Sequence, residues 1–220
     1  NARVIGRRFR LVHVRFGWDI IEVATFRAIP RDISEEPLST EEDAEGEDVE
    51  NDSPAEAPDH NVFGSQEEDA VRRDFTVNAL YYDIHDFSVI DYVGGVPDLK
   101  DGILRVIGDP ETRYREDPVR MLRAVRLAAK LGFKLEDRTA APIRDLAPLL
   151  ATVPAARMFE EVLKLFHGGY ALETYELLRH YGLFQYLFPL TEKSLEHEEE
   201  GFPVTLVPRA ERIGNRMGFF

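Results

Sequence analysis

Apolar positions recur with a period near two at the start of the chain and with helical spacing in its second half. Arg3 to Val14 alternates and is rich in β-branched residues, which predicts a strand. Gly17-Trp18-Asp19 then predicts a turn, and Ile20 to Phe26 the returning strand of a hairpin. Alternation puts Ile20, Glu22, Ala24 and Phe26 on one face, so Glu22 is a carboxylate among apolar neighbours, a place that suits an edge strand or an arginine partner. Ser65-Gln66-Glu67-Glu68 is a capping box that opens a helix expected to run to about Leu80, with Val71, Phe75 and Ala79 on its apolar side and Asp74 and Asn78 one turn apart on another. Tyr81 to Ile84 and Phe87 to Val93 read as a second hairpin around His85-Asp86. Gly94-Gly95 predicts a sharp turn and Leu104 to Ile107 a short strand.

From Asp109-Pro110 onward the spacing is helical. Asp117 is a good N-cap, Pro118 fits the first helical position where its missing N–H costs nothing, and Gly132 closes the helix. Met121, Leu122, Val125, Ala128 and Ala129 make its apolar side, while Arg120, Arg123 and Arg126 fall at i, i+3 and i+6 along one winding stripe. Further helices are predicted over Thr139 to Leu150, Pro154 to Phe166 and Tyr170 to Tyr181, the last two stopped by glycines. The stripe Met158, Phe159, Val162, Leu163 and Phe166 predicts helix-on-helix packing. The end of the chain, with Glu198-Glu199-Glu200 before Gly201-Phe202-Pro203, predicts poor order. Strands first and helices afterwards give an α+β chain.

Composition changes this picture at one place. The net charge of −14 is not spread evenly: residues 28–60 hold 13 acidic residues against the single Arg31, a net of −12, which leaves 26 basic against 28 acidic residues elsewhere, a net of −2. That segment is expected to be a disordered acidic insertion, and the remainder can still carry a basic groove. The chain has 220 residues, 44% of them hydrophobic, and no cysteine, which excludes disulfides and thiolate metal sites. No apolar run approaches the length of a membrane-spanning helix. The expectation is a soluble, cytoplasmic protein.

The candidate chemistry lies at the start of the arginine-striped helix. Adenine and cytosine each present an amino donor beside a ring acceptor, so a carboxylate that accepts and a guanidinium that donates read both and reject guanine and uracil. Asp117 with Arg120 is a candidate for that pair, and the other arginines offer forked donors to phosphate oxygens. A solvated charged face laced by ion pairs would show the same spacing. Arg72-Arg73-Asp74 is open to the same two readings.

Three stretches in register narrow the choice. Arg72-Arg73-Asp74-Phe75-Thr76-Val77-Asn78-Ala79-Leu80, then Asp91-Tyr92-Val93-Gly94-Gly95-Val96-Pro97-Asp98-Leu99, then Glu116-Asp117-x-x-Arg120 resemble successive motifs of the bacterial tRNA nucleotidyltransferase and poly(A) polymerase family, over about Arg3 to Pro189. Val4 to Val14 is similar to the signature of its polyadenylating branch. The resemblance implies the C-terminal part of a nucleotidyltransferase palm, made of antiparallel strands and a helix, followed by an all-α neck and body. The expected division is a partial head at 1–108 with the insertion at 28–60, a neck and body at 109–190, and a divergent tail at 191–220.

It further implies template-independent transfer of AMP from ATP to RNA 3′ ends with two magnesium ions. Asp74 and Glu22 would be catalytic carboxylates, with Glu22 beside two metal-binding aspartates. Arg73 and Asp74 would hold the ribose and phosphates, Asp117 and Arg120 the base, and Arg123 and Arg126 the triphosphate, supported by Arg72, Asn78 and Glu116. Asp74 can accept from a ribose hydroxyl, which favours ribonucleotides. The family's glycine-rich turn and Asp-x-Asp do not occur in this sequence. The resemblance therefore implies a fragment with little polymerase activity alone, since magnesium needs several oxygen ligands and Glu22 cannot hold two ions. CCA addition to tRNA and a non-catalytic RNA- or nucleotide-binding module are the alternatives.

Overall fold

The computed structural model describes residues 2–5, 11–28 and 63–197. Arg7, Arg8, Arg10, the acidic segment beyond Ala28 and the tail beyond His197 lie outside them. Contacts group the chain into two compact units, one up to Arg72 and one from Arg73 onward.

In the first unit β1 (Ala2–Ile5), β2 (Leu11–Phe16) and β3 (Asp19–Val23) form an antiparallel sheet in the order β1-β2-β3. The stretch Arg3 to Val14, expected as one strand, is thus two strands paired Val4 to Val12. Alternation has the same period on both sides of a chain reversal, so it did not show the reversal. Gly17, at φ 63°, makes the turn into β3. α1 (Gln66–Val71) begins with the expected capping box, Glu68 N–H donating to Ser65 Oγ at 3.2 Å and Ser65 N–H to Glu68 Oε2 at 2.7 Å. It stops at Val71, well short of Leu80.

The reason lies in the second unit. There Phe75 is extended and bridges Val106, Thr76 N–H donates to the Arg105 carbonyl at 3.0 Å, and Ile107 N–H donates to the Asp74 carbonyl at 3.0 Å. This long-range pairing takes the backbone groups that a continuing helix would use. A short 3-10 turn, Thr76–Asn78, follows. β4 (Leu80–Tyr82) and β5 (Val89–Asp91) then form the expected hairpin.

The Gly94-Gly95 turn is built around Asp91. Its Oδ1 accepts from the backbone N–H groups of Val93, Gly94 and Gly95 at 3.1, 2.9 and 2.9 Å, and its Oδ2 from Val96 at 2.9 Å. The N–H cradle that a glycine pair can offer to phosphate is therefore filled by the protein's own carboxylate. Burial works to raise the Asp91 pKa, but the four donors outweigh it and hold the carboxyl below its usual range. A depressed folded pKa contributes stability that is complete above the unfolded value, about 3.9, and is lost as pH falls through the folded value. Thermal melts of the chain and of Asp91→Asn should therefore differ most at neutral pH and converge as pH drops below about 4; a constant gap would refute this.

α2 (Gly95–Asp101) ends at Gly102, in the left-handed region, and leads to β6 (Ile103–Leu104). Asp98 of α2 accepts from Thr76 Oγ1 at 2.7 Å and from both sides of the Arg105 guanidinium, which also pairs with Glu136 at 3.2 Å. The helices follow: α3 (Pro110–Glu116), capped by Asp109, and α4 (Val119–Leu131). β7 (Lys134–Leu135) pairs in parallel with β6. Thr139 to Leu150, expected as one helix, is α5 (Asp137–Ala140), α6 (Ile143–Leu146) and a 3-10 turn, Ala147–Thr152, because Pro142 and Pro148 cannot donate within a continuous helix. α7 (Ala155–Phe166), α8 (Ala171–His180), α9 (Phe184–Leu187) and α10 (Pro189–His197) complete the described chain. The start of the tail, expected to be poorly ordered, is thus helical as far as His197.

Phe75, Leu104 and Val106 share one buried cluster with Tyr114, Leu122, Val125, Ile143, Leu165, Leu178 and Leu183. Residues 73–108, grouped with the head by sequence pattern, therefore share a core with the helices. Among the described residues no helix is long and apolar enough to cross a membrane.

Candidate nucleotide site

Asp117 stands between α3 and α4 in an extended conformation. Its carbonyl accepts Arg120 N–H at 3.0 Å and its Oδ1 accepts Val119 N–H at 3.3 Å, so it caps α4 as expected, although the regular helix counts from Val119. Its Oδ2 is held at 2.7 Å by Nη2 of Arg157, from the first turn of α7. Arg120 turns elsewhere: its Nη1 donates to Glu116 Oε2 at 3.0 Å and to the Arg113 carbonyl at 2.7 Å. The carboxylate and guanidinium read as a base-selecting pair are thus fixed by different partners and are not bonded to each other. Glu116 Oε2 also takes Arg113 Nη1 at 3.1 Å, which makes it the clamp between two arginines.

Arg113 reaches on to the Arg73 carbonyl at 2.6 Å. Burial first, then the charge of Arg120, lowers its pKa, and Glu116 and Asp74 oppose that shift. Arg73 itself donates to the Asn78 carbonyl at 3.0 Å and lies 5.1 Å from the centroid of the Tyr81 ring. Asp74 is only 9% exposed. Its Oδ1 accepts from Phe75 N–H at 2.9 Å and Asn78 Nδ2 at 3.1 Å, and its Oδ2 is in ion-pair contact with Arg123. Asn78 meets Asp74 through the 3-10 turn, and not across a helix turn as the capping box had suggested.

Arg113, Arg120, Arg123 and Arg157 outnumber the carboxylates Asp74, Glu116 and Asp117 that hold them, so this cluster keeps a positive balance suited to phosphate. Arg126, the third member of the stripe, instead lines a cavity with Lys130 and Lys164. Arg72 belongs to the first unit, where it pairs with Asp69 at 3.1 Å. Glu22 also lies there, with an exposed side chain paired to His13 Nε2 at 3.0 Å. Among the described residues no three His, Cys, Asp or Glu side chains gather in a group able to hold a metal ion.

Two residues of the cluster were not singled out as nucleotide residues from sequence. Arg113 had a usable signal, its i, i+3 spacing to Glu116. Arg157 had none in its relation to Asp117, which lies 40 residues away.

Residues 1–105 match a family model described as the poly A polymerase head domain, and residues 132–195 one described as a probable RNA and SrmB-binding site of polymerase A. The chain belongs to the bacterial poly(A) polymerase and tRNA nucleotidyltransferase family. It is 57% identical over 189 residues to poly(A) polymerase I of Escherichia coli O6:H1, covering 86% of this chain and 39% of that protein. A CCA-adding enzyme of Lactobacillus helveticus is 42% identical over 121 residues, covering 54% of this chain and 30% of that protein. Among solved structures it resembles the Bacillus stearothermophilus CCA-adding enzyme in complex with CTP, at a TM-score of 0.66 and 33% identity over 85% of this chain and 40% of that one. The chain thus spans about two fifths of the length of poly(A) polymerase I. The antiparallel strands and following helices are this family's nucleotidyltransferase fold.

Proposed function

We propose that this chain is the nucleotide-reading part of a polymerase that adds AMP from ATP to RNA 3′ ends without a template. The observation that carries the reading is that Asp117 and Arg120, at the head of α4, are each bonded to a different partner, Arg157 and Glu116, next to the ion pair that Arg123, along the same helix, makes with Asp74. Asp117 accepts from the base amino group and Arg120 donates to the ring nitrogen beside it. Arg73 and Asp74 take the ribose and the nearer phosphates, with Asn78 holding Asp74 and Glu116 holding Arg120. Arg123, beside Asp74, supplies guanidinium donors to the triphosphate oxygens, whereas Arg126, expected to share that task, lines the separate cavity with Lys130 and Lys164. The reaction joins the primer 3′-oxygen to the α-phosphorus, and pyrophosphate leaves. A cytoplasmic location belongs to this reading and agrees with the absence of cysteine.

Magnesium belongs to the family's chemistry, where it activates the primer hydroxyl and neutralises pyrophosphate. The described residues do not form a two-metal site: Glu22 pairs with His13, and no group of three ligand side chains gathers. In this reading Glu22 is at most one ligand, and Asp74 works at the sugar and phosphates. CCA addition is the second reading, because it uses the same base pair and the CTP-bound neighbour shares the fold. The higher identity and longer coverage of poly(A) polymerase I favour polyadenylation.

Calorimetric titration of the chain with each nucleoside triphosphate tests the base reading. ATP and CTP should bind more tightly than GTP and UTP; equal affinities would overturn it. Preference for oligo(A) over a tRNA lacking its 3′ end supports polyadenylation, and the reverse preference supports CCA addition.

A further inference from the structure

Between α4, α7 and α8 lies a cavity of about 250 Å³ lined by Arg126, Lys130, Lys164, His167, Tyr170 and Thr174 among others. Lys130 and Lys164 sit in the last turns of α4 and α7, where a cation complements the helix dipole, and that suffices to explain them. It does not explain two other groups. Thr174 is 1% exposed, and its hydroxyl is buried with no hydrogen-bond partner. Arg126 Nε is likewise buried without one. Buried donors are nearly always paired, so two unpaired donors on one cavity point to an acceptor that binds there.

The charge identifies that acceptor. Against Arg126, Lys130 and Lys164 stands Glu161, bound to Lys164 at 2.8 Å, so the wall keeps a positive excess without counting His167. Tyr170, which precedes α8 and makes no side-chain cap, lines the same space, where the C-terminal ends of α4 and α7 also lie, so the charge of the wall comes from its side chains and not from the helix dipoles. Cations with an unpaired guanidinium N–H and an unpaired hydroxyl together fit the oxyanion of a phosphate group.

We infer that this cavity holds a backbone phosphate of the RNA strand. The inference rests on the proposed RNA substrate. Arg126 then serves the RNA, and Arg123, beside Asp74, serves the triphosphate. RNA phosphates fit this place better than a triphosphate does, because α7 and α8 lie within the stretch matching the RNA-binding family model.

The test uses the chain itself with labelled oligo(A) as probe, followed by fluorescence anisotropy over a salt series. Thr174→Val removes the hydroxyl at nearly constant volume, and because that hydroxyl has no partner, the thermal midpoint should not fall. RNA affinity should drop about threefold to tenfold. Lys130→Gln, at an exposed position, should weaken RNA binding and reduce the salt slope by about one. ATP affinity, measured in parallel, should stay unchanged in both, and inorganic phosphate should compete with RNA less well in Thr174→Val than in the unaltered chain. Unaltered RNA affinity in both variants, or a fall in ATP affinity, would overturn the assignment while leaving the proposed function standing. Failure of the unaltered chain to bind oligo(A) would overturn both.

Discussion

Gly95→Ala is expected to destabilise the unit from Arg73 onward by about 3 kcal/mol or more, the upper end of what overpacking costs. A Cβ at Gly95 would stand 2.3 Å from the Thr76 carbonyl oxygen and 2.9 Å from its carbon. Those are backbone atoms, and Thr76 cannot step aside. Its N–H is spent on Arg105, its hydroxyl on Asp98, and the turn it begins carries Asn78, which holds Asp74. For a unit of this size such a loss lowers the melting midpoint by about 6–12 °C. Gly94→Ala is the control. Its φ of +82° strains any side chain, but nothing lies within 4 Å, so the cost should stay near 1–2 kcal/mol. Equal losses at the two positions would show that conformational strain, and not the approach of the Thr76 backbone, decides the pair. Because the displaced turn supports Asp74, nucleotide affinity in Gly95→Ala should fall as well, even at temperatures where the chain remains folded.

What the sequence made legible follows the range of the physics involved. α4 was readable because its cap, apolar side and closing glycine are all local: Asp117, Leu122 and Gly132 each declare their place within a turn of themselves. The capping box of α1 was equally local, and so was the hairpin around His85. The end of α1 was not, since it depends on Phe75 pairing with Val106, and a helical apolar pattern looks the same whether or not such a bridge exists. The parallel pairing of β6 with β7 failed to show for the same reason, as two residues carry no period. In the site, the residue types and their order along α4 were visible, but their partners were not. Spacing alone would join Asp117 to Arg120; the fold gives Asp117 to Arg157 and Arg120 to Glu116. That exchange matters for function, because each group is positioned by a third residue and a base does not have to break a bond between the two that would read it.

Asp117→Asn should collapse the discrimination between ATP and GTP. The substituted amide keeps an oxygen that can accept Val119 N–H, so α4 stays capped and the fold is little disturbed. What changes is the other arm. The carboxylate oxygen now held by Arg157 is replaced by an NH₂ that donates, so it opposes the adenine amino group and welcomes the guanine carbonyl. A matched two-point contact is worth about 1–3 kcal/mol of discrimination, so ATP preference over GTP should fall by about 5-fold to 100-fold. Arg120→Ala should lose that preference too, by a different route: the donor to the ring nitrogen disappears, and Glu116 retains Arg113. Titrations of ATP and GTP into both variants, with melts beside them, separate reading from folding. Selective loss of ATP affinity at an unchanged midpoint supports base selection at the head of α4. A parallel loss for both nucleotides with a lowered midpoint would mean that Asp117 and Arg120 serve only to join α3, α4 and α7, and the base would have to be read elsewhere.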